Sequence, residues 1–242
     1  MAKNPGQGRC VYCLKWVQER NWDHVFPQAW YPDSTPANCA KWKVPSCIEC
    51  NQQYNGIEDN LRIPLALALG LNPRDSDDEV FYERARRSIS SASAETDKDR
   101  RAREQQRCKL ENALNGQVPA EKVYPGFGPS NGVPRDVQEA IPLQRLDRFA
   151  EKIVRGIVYL EEDGRFIEPP YEVHSYAPSR DEALDRQVSV GLMSQLPPGI
   201  VINRVDTNGN GHSTHFRIVI WRKLIIYSII GCRGIEDRHL QF

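Results

Sequence analysis

Apolar residues recur with different periods along this chain, and the changes divide it. Gly199 to Val205 and Thr214 to Ile220 alternate or run apolar as strands, and Asp206-Thr207-Asn208-Gly209-Asn210-Gly211 between them is a strong turn signal. Leu224 to Ile230 predicts a third strand, antiparallel to one of these after a short turn around Arg222. Ahead of them, Pro134 to Leu160 reads as a helix interrupted at Pro142, with Leu143, Leu146, Phe149, Ile153 and Ile157 spaced as a buried stripe. The middle of the chain is helical and connective. Leu61 to Leu71 is apolar, with Pro64 at a position tolerated in a first turn and with Gly70 and Pro73 marking its end. Further helices are predicted to begin near Asp77 and Asp97, on either side of the Ser-Ala-rich Ser88 to Ala94. Gly116 to Pro134 is rich in glycine and proline and is the expected domain boundary.

The N-terminal region is patterned by cysteine. Cys10-Val11-Tyr12-Cys13 and Cys47-Ile48-Glu49-Cys50 are two CxxC pairs, and four thiolates so spaced can close a tetrahedral zinc site. Between them stands Asp23-His24, followed by Val25-Phe26-Pro27, which fits a strand ending at a turn. Strict alternation would send Asp23 and His24 to opposite faces of that strand. From Cys50 to about Asp59 the spacing suits a helix with Asn51, Asn55 and Glu58 on one face.

Cys-x-x-Cys, Asp-His-Val-x-Pro and Cys-x-x-Cys-Asn together resemble the HNH endonucleases, in particular the zinc-stapled subgroup typified by phage endonuclease VII. The resemblance covers roughly residues 8 to 62. It implies a ββα-metal fold in which His24 is the general base and Asp23 and Asn51 hold a catalytic divalent cation. Asn55 is a second-choice ligand or phosphate contact. Asn38 is the default counterpart of the family's middle asparagine, and Asn51 stands where many members carry the final histidine. The chemistry agrees, since phosphodiester hydrolysis needs a deprotonated water, a cation against the phosphate and stabilisation of the leaving oxygen. An imidazole of pKa about 6.5 is suited to the first task. Oxygen ligands suit Mg2+ or Mn2+ whereas the thiolates suit structural zinc. Other readings stay open: a zinc ribbon without catalysis, His24 as a hydrogen-bonded core residue, and Asn51 as a helix cap.

Composition adds limits. A chain of 242 residues can bury a substantial core. The absence of a long apolar run or signal peptide leads us to expect no membrane span and a reduced, cytoplasmic setting. Of seven cysteines, Cys39, Cys108 and Cys232 fall outside the zinc set, an odd remainder that argues against a disulfide framework. His174, His212, His215 and His239 show no partner spacing and read as surface or hairpin residues. Thirty-two basic residues balance thirty-two acidic ones, whereas nonspecific DNA binders tend to be basic. Basic residues between Arg84 and Lys109 could line a helix along a phosphate backbone, or form a solvated face or charged linker.

The sequence thus leads us to expect an α+β protein: a zinc-bound HNH domain over 1–62, a helical connector and linker over 63–133, and an α+β unit with an antiparallel sheet over 134–242. Duplex or branched DNA is the expected substrate, with a protein partner possible through the C-terminal unit. The alternatives are a noncatalytic zinc-stapled nucleic-acid-binding or interaction module, and a partner-regulated nuclease subunit of a defence, phage or mobile-element system.

Overall fold

The computed structural model describes residues 4–31, 42–68, 85–115, 143–176, 182–196, 200–207, 213–220 and 224–232. At the N-terminus, the two-residue strands β1 (Gly8–Arg9) and β2 (Trp16–Val17) pair around the first CxxC turn. That turn is closed by Leu14 N–H donating to Cys10 O at 3.0 Å and by Leu14 at φ 64°. Strands β3 (Arg20–His24) and β4 (Lys43–Cys47) form an antiparallel hairpin in register from Arg20 opposite Cys47 to His24 opposite Lys43. Helix α1 (Ile48–Ala68) follows β4 without a break, giving a small ββα arrangement. The Arg20 guanidinium donates to the carbonyls of Pro5, Gly6, Gln7 and Arg9 and so fastens the leading segment onto the hairpin. Gly8 lies under it at φ 150°, where a Cβ would stand 2.6 Å from Arg20 Cζ.

The C-terminal half is built on a five-stranded antiparallel sheet of order β5-β9-β8-β7-β6, made of β5 (Tyr171–Tyr176), β6 (Leu192–Leu196), β7 (Ile200–Asp206), β8 (Thr214–Ile220) and β9 (Leu224–Cys232). The period-two pattern is plain in β8, where Thr214, Phe216, Ile218 and Ile220 are buried and the residues between them are half-buried. Helices α2 (Asp97–Asn115), α3 (Leu143–Glu161) and α4 (Glu182–Ser189) stand beside a short helical stretch at 85–89 and single turns at Gln28–Trp30 and Ser91–Ser93. Arg204 of β7 pairs with Glu161 and Glu162 at the end of α3. Its neighbour Asn203 points to the opposite face and donates to Ser189 O at the end of α4. The sheet therefore carries α3 on one face and α4 on the other.

Helix α3 lies between the sheet and the ββα unit. Of its expected stripe, Leu146, Phe149, Ile153 and Ile157 are buried, the side chain of Leu143 lies outside the description, and Ala150, Val154 and Val158 widen the stripe. So broad an apolar surface covers two neighbours. One hydrophobic cluster runs from Val25, Phe26, Trp30 and Tyr54 through α3 to Phe216, Ile218 and Ile226 of the sheet. The Phe149 ring packs tilted, 5.0 Å from that of Trp30 and 6.2 Å from that of Phe26, and Gly156 lets Val25 approach so closely that a Cβ there would lie 2.5 Å from Val25 Cγ2.

Several elements depart from the sequence expectation. The helix beginning near Cys50 and the apolar run from Leu61 are one helix, and Pro64 lies inside it. Tyr54, Glu58, Leu61 and Leu65 form one buried stripe, and its burial outweighs the backbone hydrogen bond that proline cannot make. Strands β5 and β6 and helix α4 were not anticipated. The predicted strands appear as β7, β8 and β9, with β9 running two residues further than expected. In α2, Arg100 pairs with Asp97 at 2.8 Å and Arg103 with Asp99 at 2.9 Å, so part of the basic run is offset within the helix. No helix among the described residues is long and apolar enough to cross a membrane. The expected helix start at Asp77, the glycine- and proline-rich segment 116–134, the interruption at Pro142 and most of the turn at 206–211 lie outside the described residues.

Burial on α3 raises the carboxyl of Asp147 from an ordinary 3.8 to about 6. The native state then binds more protons than the unfolded chain between about pH 4 and 6, so this group's contribution to stability is lost as pH rises through that window. Asp147→Asn is expected to raise Tm at pH 7.5 and to leave it nearly unchanged at pH 4, in thermal unfolding at the two pH values; an equal shift at both would contradict the assignment.

Candidate functional site

The hairpin register and the first turn of α1 bring the two CxxC pairs together. The sulfurs of Cys10, Cys13, Cys47 and Cys50 all lie within 4.8 Å of one another, and Cys13 Sγ stands 3.8 Å from Cys47 Sγ. A tetrahedral ion with metal–sulfur bonds of about 2.3 Å places its sulfurs about 3.8 Å apart, so the cluster fits a metal ion such as zinc. Crowding perturbs the thiols in opposite directions. A hydrogen bond from Cys50 stabilises the Cys10 thiolate and holds its pKa down to about 4, and the same contact pushes Cys50 up. A divalent ion would relieve that competition by accepting all four as thiolates. Three of the four are buried, and Val11 N–H bonds to Pro45 O across to β4, so the ligands belong to the core of the unit.

Asp23 and His24 are the last two residues of β3, and both are paired in the ladder, opposite Val44 and Lys43. Their side chains therefore leave on opposite faces, as alternation predicts. His24 is half-buried at the strand end, where Val25 N–H extends the pairing by donating to Trp42 O at 2.9 Å. Asp23 turns inward and is 5% exposed. Its Oδ2 lies 3.1 Å from the ammonium of Lys152 on α3, which also forms an ion pair with Glu58 of α1. Lys152 is fully buried, with its Nζ 5.5 Å from the ring centroid of Tyr54.

The cluster joins the hairpin, α1 and α3 through two carboxylates and one ammonium. Desolvation is the largest influence on both acids and raises both, and Lys152 opposes it. Glu58 ends at about 7. The neighbouring Tyr12 hydroxyl is pushed up, by burial first and then by the charge of Asp23. Loss of water is thus the main cause, and the charge of Asp23 adds a smaller upward push on Glu58.

The other expected site residues divide between two places. Asn51 and Asn55 sit on the first two turns of α1, where Asn55 Nδ2 donates to Asn51 Oδ1 at 2.9 Å; Asn51 is half-buried and Asn55 exposed. Glu58, which shares their face, is seven residues beyond Asn51, or about 10.5 Å along the axis. The structure thus groups Asp23 with Glu58 and Lys152, and Asn51 with Asn55. Asn38, Cys39, His212 and His239 lie outside the described residues. His174 and His215 are half-buried on strands and flank Ile229 across the sheet. Cys108 is exposed on α2, and Cys232 ends β9.

Sequence reasoning missed Lys152. Its signal was a lysine inside an apolar helical pattern, and its partner Glu58 is 94 positions away. No family model, no curated protein and no solved structure matches this chain.

Two outcomes are expected. Wild-type protein should carry about one zinc per chain by elemental analysis, and Cys50→Ser should lose it together with the fold of the N-terminal unit, because structural zinc contributes about 10–16 kcal/mol linked to folding; stoichiometric zinc in the variant would count against the four-thiolate centre. Lys152→Met leaves two buried carboxylates without their counter-charge and should cost about 3–5 kcal/mol in denaturant unfolding. A loss below about 0.5 kcal/mol would mean that the ammonium does not hold this cluster together.

Proposed function

We propose that this chain is a metal-dependent HNH-type endonuclease that hydrolyses DNA phosphodiester bonds. The observation that carries the reading is the order of parts around the cysteine cluster. A hairpin strand ends on Asp23-His24, the return strand delivers Cys47, and a helix opens at once with Cys50 and Asn51. A metal-stapled hairpin and helix of this kind gives a small unit the rigidity needed to hold a base and a cation ligand at fixed positions.

In this reading His24 takes a proton from water at the end of β3, and the resulting hydroxide attacks phosphorus. The bond to the departing 3′ oxygen breaks as the new one forms, and that oxygen takes a proton from water, leaving a 3′-hydroxyl and a 5′-phosphate. The resemblance assigns Mg2+ or Mn2+ to Asp23 and Asn51, with Asn55 as second choice, whereas in the structure Asp23 faces Lys152 and Asn51 faces Asn55. Such an ion supplies positive charge against the phosphate and the leaving oxygen when bound. Duplex DNA is the default substrate, and branched DNA is the second.

A noncatalytic zinc-stapled module that binds nucleic acid or a protein partner is the second reading. It is favoured by the burial of Asp23 and by its pairing with Lys152.

The test is incubation of zinc-loaded protein with supercoiled plasmid in Mg2+, Mn2+ or EDTA, beside His24→Ala at matched zinc content. Nicking or linearisation that needs the cation and falls by about 10²–10⁴-fold in the variant is expected. Equal cleavage by the variant would remove His24 from the mechanism, and no cleavage by the wild-type protein would transfer the assignment to the binding module.

A further inference from the structure

The hairpin that carries His24 also places a cation beside it. Val25 N–H donates to Trp42 O at 2.9 Å, which makes Val25 and Trp42 a hydrogen-bonded pair of the ladder. Pairs of the two kinds alternate, so His24 opposite Lys43 is a non-hydrogen-bonded pair. Pro45, opposite Trp22, falls at the next pair of that kind, where its missing N–H removes no ladder bond. In such pairs the Cα atoms stand about 4.5 Å apart and the two side chains share one face. The imidazole and the ammonium therefore leave the hairpin together, on the face turned away from Asp23. Both residues are half-buried.

The charge on that face is one-sided. Arg20, Trp22 and His24 of β3 share it with Lys43, Pro45 and Cys47 of β4, and none of these is an acid. Arg20 is committed to the carbonyls of the leading segment. Among the described residues Lys43 pairs with no acid, in contrast to Lys152, which meets two. A half-buried lysine without an acid partner is unusual in a chain whose basic and acidic residues balance.

We propose that Lys43 is the phosphate contact of the His24 site: its ammonium holds a non-bridging oxygen of the DNA backbone beside the imidazole. This rests on the reading of His24 as the base of a nuclease. The flexible lysine stem lets the ammonium meet a phosphate that lies against a water held by His24. There it keeps its proton and sets positive charge against the phosphate oxygens. It also gives a chain of zero net charge a local hold on DNA that its overall charge does not provide. With Asp23 turned to Lys152, Lys43 is the positive charge that the hairpin register places nearest His24.

The experiment measures the affinity of zinc-loaded protein for a fluorescein-labelled DNA duplex at several salt concentrations, with no Mg2+ or Mn2+ added. Lys43→Met keeps the apolar stem and removes the charge, whereas Lys43→Arg keeps the charge. Lys43→Met is expected to bind about three- to tenfold more weakly at low salt and to flatten the slope of log K against log salt by about 0.9, the mark of one lost phosphate contact. Lys43→Arg should restore most of both. Unchanged affinity and slope in Lys43→Met, binding by Lys43→Arg as weak as that of Lys43→Met, or no DNA binding by wild type overturns the proposal. Zinc content and Tm should match wild type in both variants; where Lys43→Met loses either, Lys43→Gln decides by the same two readouts. Cleavage with Mg2+ or Mn2+ is scored separately. Weaker binding that arginine rescues, without cleavage by wild type, keeps the contact and removes the nuclease. Cleavage that needs His24, with Lys43→Met binding and cutting as wild type does, keeps the nuclease and removes the contact.

Discussion

A fully buried ammonium on α3 holds this structure together where its two halves meet. Lys152 lies between carboxylates from β3 and α1, and removing a charge of that kind from water is costly unless its partners are close and well aligned. Helix α3 is placed accurately by apolar contacts on both sides: Phe149 against Trp30 and Phe26, Gly156 against Val25, and Ile153 and Ile157 in the cluster that reaches the sheet. Packing of this density leaves little room for the helix to slide, so the ammonium is held where the charges need it.

The cysteine cluster is the second fixed point. Four sulfurs within 4.8 Å bind the first turn of the chain, the end of β4 and the start of α1 to one position. The hairpin between those points presents Asp23 to the interior and His24 to its other face. Asp23 thus belongs to two systems at once, the proposed catalytic pair in sequence and the buried charge cluster in space. In the described arrangement the second system holds its carboxylate.

Legibility followed the range of the interaction. The cysteine set could be read because each CxxC pair is local and the two pairs stand in one short segment. Strands β7, β8 and β9 could be read because β-branched residues alternate around a strong turn signal. The stripe on α3 was legible as a period. Strand β5 was not, because the prolines before it and its charged and histidine residues look like a loop. The passage of α1 through Pro64 was hidden because burial of Leu61 and Leu65 decides it. Lys152 was hidden for a related reason: a lysine beside an apolar stripe normally marks the solvent face, and only the tertiary approach of Glu58 and Asp23 makes it interior.

The most direct test is a crystal structure of zinc-loaded protein grown in excess Mn2+, with anomalous data at the zinc and manganese edges. The account predicts a zinc peak among Cys10, Cys13, Cys47 and Cys50, and the Lys152 ammonium between Asp23 and Glu58. Absence of zinc from the four cysteines, or a Lys152 ammonium away from both carboxylates, would contradict it.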